Sequence, residues 1–163
     1  KSSGTNAYDV AADQVAGCQS PLEHGERQFA EADLVFSSVA AAAGNRVVDS
    51  NFCNSRTGVL VTGAVGSPKG PPAVKLQSSG VIYATDGGVT LHDADDVAIL
   101  ANEIYGPIGV APTGVALDAN SDDNLVQGNR IAGFTQDVLD QGTSNCWRHN
   151  RFATGTAPSI GCP

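Results

Sequence analysis

Short apolar runs recur along this chain, each interrupted by one polar residue at the same place. Five segments superimpose so that Asn51, Ser79, Asn102, Asn129 and Asn150 share one position, at intervals of 21 to 28 residues. Three residues earlier stand Val48, Leu76, Ile99, Val126 and Trp147, and two residues later stand Cys53, Val81, Ile104, Ile131 and Phe152. Side chains alternate faces along a strand, so both apolar columns point inward only if the chain bends near the polar anchor. Asn suits such a corner, because it tolerates left-handed dihedrals and bonds nearby backbone. Coils stacked about 4.8 Å apart would let each amide bond the next, as an internal ladder. A loose period of this length with polar turns predicts a stacked solenoid.

A second recurrence follows a glycine: Gly58-Val59-Leu60-Val61, Gly88-Val89-Thr90-Leu91 and Gly114-Val115-Ala116-Leu117, with Asp137-Val138-Leu139 in the corresponding place. Each coil is thus expected to carry at least two strands. Segments such as Ser121-Asp122-Asp123-Asn124-Leu125-Val126-Gln127-Gly128-Asn129-Arg130-Ile131 resemble the repeats of right-handed parallel β-helix proteins of the pectate-lyase-like superfamily. Alginate epimerases and periplasmic copper-insertion accessory proteins share that repeat. The resemblance covers residues 39 to 153 and implies an all-β, right-handed parallel β-helix of about five coils. It is a likeness of repeat pattern, not of an enzyme signature. A β-sandwich also strings short strands at regular spacing, but would not place Asn in one column of every coil.

Residues 1–38 do not fit the repeat and are expected to form an N-terminal cap or irregular first coil, with 154–163 a capping tail. Ser20-Pro21-Leu22-Glu23 reads as a helix start and Leu34-Val35-Phe36 as a strand. The 163 residues suit one domain, and 19 Gly with 16% charged residues suit a turn-rich β fold. No run of eighteen apolar residues occurs, so no membrane insertion is expected. A net charge of −8 argues against nucleic acid and anionic membrane partners.

The four cysteines, 18, 53, 146 and 162, lack CxxC spacing, and three pairings are open. Cys146–Cys162 would fold the tail over the last coil, and Cys18–Cys53 would tie the N-terminal segment to the first. An even cysteine count and a start at Lys1 rather than Met lead us to expect an extracellular or periplasmic, secreted protein.

On a β-helix the outward positions beside the Asn corner are where the resemblance directs a search for chemistry. One residue after the anchors come Phe52, Gly80, Glu103, Arg130 and Arg151, and two before come Asp49, Gln77, Leu100, Gln127 and Arg148. Tyr105, Arg130, Arg148, His149 and Arg151 form the candidate ligand patch, suited to sugar hydroxyls or a uronate carboxylate. Glu103, Arg130 and Arg151 would also stack as an exposed ion-pair ladder. A second candidate is an acidic edge of Asp93, Asp95, Asp96, Asp118, Asp122 and Asp123, whose mutual repulsion calcium would relieve. The run beginning at Asp118 opens like a calcium loop, but Asp123 and Asn129 stand where that loop needs Gly and Glu. Asp, Asn and Ser are equally ordinary turn formers.

GxSxG, HExxH and P-loop motifs are missing, as are the paired Asp of polygalacturonases and the Asp-Pro-His of alginate epimerases. No catalytic residue is assigned, and no cofactor beyond the calcium option is expected. The expected function is a secreted module that binds polysaccharide through its exposed strand face. The alternatives are a structural or adhesive assembly module, as a homo-oligomer or part of a longer solenoid, and an atypical polysaccharide lyase or epimerase.

Overall fold

The computed structural model describes residues 2–4, 9–11, 32–39, 44–53, 56–66, 70–157 and 162. These residues form strands and connections without a helix, and every strand pairing is parallel. Seven strands make the first sheet: β1 (Ser2–Gly4), β3 (Ala32–Val39), β6 (Thr57–Thr62), β9 (Gly87–His92), β12 (Thr113–Leu117), β15 (Gln136–Asp140) and β17 (Gly155–Thr156). The second has β2 (Asp9–Ala11), β4 (Asn45–Val48), β7 (Val74–Gln77), β10 (Val97–Leu100), β13 (Leu125–Gln127) and β16 (Cys146–Arg148). The third has β5 (Asn51–Cys53), β8 (Gly80–Ile82), β11 (Glu103–Tyr105) and β14 (Arg130–Ala132).

The chain is therefore the parallel β-solenoid its repeat predicts. Each coil contributes three strands, one more than the minimum read from the sequence. Among the described residues four coils are complete; β1 and β2 stack ahead of them, and β16, a bridge at Arg151 and β17 follow. The helix start at Ser20 lies outside the described residues, whereas Leu34-Val35-Phe36 falls in β3, which pairs with β6.

The ladder exists, but its first rung is Ser50 rather than Asn51. Val47, not Val48, pairs with Leu76, and Asn51 pairs with Gly80. The first coil is thus one residue out of step with the sequence alignment. The physical reason is burial: Val47 is fully enclosed and Asn51 is exposed. In this register Phe52 joins the Val81, Ile104 and Ile131 column and packs against the core.

From Ser50 onward each rung donates its backbone N–H to the next side chain. Ser50 N reaches Ser79 Oγ at 3.2 Å, and Ser79 N reaches Asn102 Oδ1 at 2.9 Å. Asn102 N reaches Asn129 Oδ1, and Asn129 N reaches Asn150 Oδ1, each at 2.9 Å. The bend itself sits one residue earlier than predicted. Asp49, Ser78, Ala101, Gly128 and His149, each preceding a rung, all have φ between 52° and 71°.

The corner that precedes the second sheet repeats the device, unpredicted. Gly44, Asp96, Asp123 and Ser144 are left-handed there, and buried Asn45, Asn124 and Asn145 stand in the column that follows. Asn124 accepts from Val97 N at 2.8 Å and Asn145 accepts from Asn124 N at 2.8 Å.

The core is a stack of β-branched and Leu side chains, from Val47, Leu76 and Ile99 through Val59, Val89 and Val115. The glycine column makes room for it: a Cβ on Gly88 would lie 2.4 Å from Ile104 Cγ2. Asp137 takes that column's place in the last complete coil, 2% exposed, and its Oδ2 accepts from Ala153 and Thr154 N–H. Cys146 and Cys162 are joined, closing the tail as expected. Cys53 is disulfide-bonded too, while its expected partner Cys18 lies outside the described residues.

Candidate functional site

The third sheet turns two columns outward. Asn51, Gly80, Glu103, Arg130 and Arg151 are in register along one of them. Phe52, expected here, is displaced inward by the one-residue shift, and Asn51 takes its place, its Oδ1 lying 2.6 Å from where a Cβ on Gly80 would stand. The other column carries Cys53, Ile82, Tyr105 and Ala132. Arg130 reaches across to it, its guanidinium carbon 5.6 Å from the Tyr105 ring centroid. This geometry is a cation–π contact.

Glu103, Arg130 and Arg151 stack as predicted, yet the expected ion-pair ladder does not form. Among the described residues the ion pairs are Arg56–Asp86 and His92–Asp118. Arg130 turns to the aromatic ring instead, and Arg151 stands exposed beside it on the next coil. Arg148 belongs to the second sheet, where its Nε donates to Gln127 Oε1 at 2.7 Å. Val48 rather than Asp49 stands in that column, paired with Gln77. His149 is the left-handed corner residue between the two sheets, with φ 57°. The structure thus brings Tyr105, Arg130 and Arg151 onto one face and leaves Arg148 and His149 around the corner.

The acidic edge resolves into turn chemistry. Asp93, Asp96 and Asp123 hold left-handed backbone positions. Asp95 Oδ1 accepts from Asp122 N at 2.9 Å, and Asp122 Oδ1 accepts from the N–H and hydroxyl of Thr143. Among the described residues no group of three or more His, Cys, Asp or Glu is gathered as metal ligands would be.

Asp118 stands apart from the other five. Its carboxylate accepts from Asp93 N, Asn120 N, Ser121 Oγ and His92 Nδ1. Partial burial pushes its pKa upward, but those hydrogen bonds prevail and hold it below the usual 3.8. His92 and Asp118 edge an open groove of about 350 Å³ on the outer face of the first sheet. Leu60, Thr90, Ala116 and Leu139 form one column of its floor, and Thr62, His92, Asp118 and Gln141 run beside them.

This groove was missed by sequence reasoning, although a signal for it existed. Counting four residues on from Gly58, Gly88, Gly114 and Asp137 gives Thr62, His92, Asp118 and Gln141.

No family model, curated protein or solved structure matches the chain. The fold defines the class, a parallel β-solenoid, and the side chains of its faces carry the functional argument alone.

Proposed function

We propose that this solenoid is a secreted module that binds an anionic glycan, a chain bearing carboxylate or sulfate groups, on the outer face of its third sheet. The observation that carries the reading is the pair Arg130 and Arg151. They are neighbours in register, both exposed, and neither is ion-paired among the described residues. Their backbones stand one coil apart, about 4.8 Å by strand spacing, so an anion lying across the two coils would meet both positive charges. Guanidinium forks match carboxylate and sulfate geometry bidentately. Tyr105 holds Arg130 in place and offers a ring edge for a sugar's C–H face. Arg130 and Arg151 set two positive charges beside Glu103 on this face, within a chain whose net charge is −8. The disulfide-bonded Cys53, Cys146 and Cys162 are consistent with an oxidising compartment.

Titration calorimetry with oligogalacturonate, a sulfated oligosaccharide and a neutral oligosaccharide of equal length tests the proposal. At least one acidic chain should bind, more weakly as salt rises, and Arg130→Gln and Arg151→Gln should each weaken it about tenfold, the loss of one charge-assisted contact. Absence of binding by both acidic chains, or affinity unchanged in both variants, would overturn it.

A further inference from the structure

We propose that the groove on the outer face of the first sheet is a hydrolytic site for neutral carboxylic esters, with His92 as its general base. The two faces share no residue, so this inference stands independently of glycan binding.

The argument begins with the order of groups along one outward column. Thr62, His92 and Asp118 follow one another on consecutive coils, giving hydroxyl, imidazole and carboxylate in sequence. His92 Nδ1 is bonded to Asp118 Oδ2. In the neutral ring that contact keeps the proton on Nδ1 and leaves the Nε2 lone pair as the base. Asp118 is itself fixed, by the N–H groups of Asp93 and Asn120 and by the Ser121 hydroxyl at 2.7 Å. It therefore acts as a positioning residue, ionised and oriented before any ligand arrives. Its depressed pKa agrees with that role.

The imidazole is 66% exposed, so it is open to water and to a ligand, while the carboxylate behind it is largely covered. The groove's apolar floor of Leu60, Ala116 and Leu139 gives a short acyl chain somewhere to lie. Its volume of about 350 Å³ is at the small end for ligand sites, which favours acyl chains of a few carbons. Thr62 and Thr90 line the same groove, and a developing oxyanion requires hydroxyl or N–H donors of that kind.

The step balances with water alone. The oxygen of a water attacks the ester carbonyl carbon as His92 Nε2 takes its proton. The carbon–oxygen bond to the alcohol then breaks, and the imidazolium returns the proton to the departing alkoxide. Acid and alcohol leave, and the ring is again neutral.

The test is hydrolysis of p-nitrophenyl butyrate at pH 7.5 by the intact chain, with free imidazole at equal concentration as the benchmark. The protein should exceed free imidazole by at least tenfold per mole. His92→Gln, at an exposed ring, should keep its melting temperature and fall to the benchmark or below. His92→Ala should recover part of the rate when imidazole is added, which a merely structural histidine would not allow. A wild-type rate no higher than free imidazole overturns the proposal, as does a His92→Gln rate equal to wild type.

Discussion

Asn129 accepts the Asn102 N–H on its Oδ1 and gives its Nδ2 to Ile99 O at 2.8 Å, with 1% of its surface exposed. Replacing it by Leu orphans both groups, at about 1–3 kcal/mol for each buried polar group left unpaired. The same change at half-buried Gln127 should cost below about 0.5 kcal/mol, since surface substitutions seldom cost more. Urea denaturation of the two variants checks this, and equal losses would contradict an internal ladder. One position earlier the backbone is tested rather than the side chain. Gly128 has φ 71°, and a Cβ there meets nothing closer than 3.8 Å. Gly128→Ala should therefore destabilise by about 1 kcal/mol through dihedral strain alone. The anchors at 79, 102, 129 and 150 were legible because the polar letter recurs between apolar ones. At the first coil Val47-Val48 and Ser50-Asn51 present two registers one residue apart, and letters alone cannot say which valine is enclosed.

Elements were legible in proportion to how strictly their letters recur. The Gly-led strand was found because only glycine fits beside Ile104 and Ile131. The second amide corner was missed because Val74 and Val97 interrupt the column that Asn45, Asn124 and Asn145 share. The charged candidates were half legible: stacking of Glu103, Arg130 and Arg151 follows from period, but the choice of Tyr105 over Glu103 as partner depends on rotamers. Along the first sheet's outer edge a pH experiment applies. Asp118 ionises more easily in the folded chain than in the unfolded one, so its contribution is complete above about pH 4. That contribution fades as pH falls through the folded pKa, when the carboxylate can no longer accept from Ser121 and the two backbone N–H groups. Asp118→Asn should melt lower than wild type at pH 7 and lose less of its melting temperature between pH 5 and pH 2.5. Parallel slopes in scanning calorimetry would assign the acid sensitivity to other carboxylates.

Over the whole molecule each coil touches only its neighbours, so the ends decide how the stack survives. The Cys146–Cys162 bond, closing 16 residues, restrains the C-terminal end. Cys162→Ser should cost about 3 kcal/mol by loop entropy, read as a lower urea midpoint. A midpoint unchanged from wild type would mean the tail does not secure the last coil. The solenoid was readable from the start, because period and turn composition are global properties. The outer faces were readable only in part, because each is assembled from residues about twenty to thirty positions apart whose identities differ from coil to coil.

The ladder also has a direction. Every rung from Ser50 to Asn129 sends its backbone N–H toward the later coil, and every rung from Ser79 to Asn150 offers its side-chain oxygen toward the earlier one. Losing the coil of Ser50 costs Ser79 Oγ its donor, and losing the one after it also takes away the Leu76 O to which Asn102 Nδ2 donates. Losing the last strands the backbone N–H of Asn129. The rungs are thus polar along the coil axis: backbone N–H groups face the later coil and side-chain amide N–H groups face the earlier one, so Asn102 and Asn129 each clamp the coils on both sides of them.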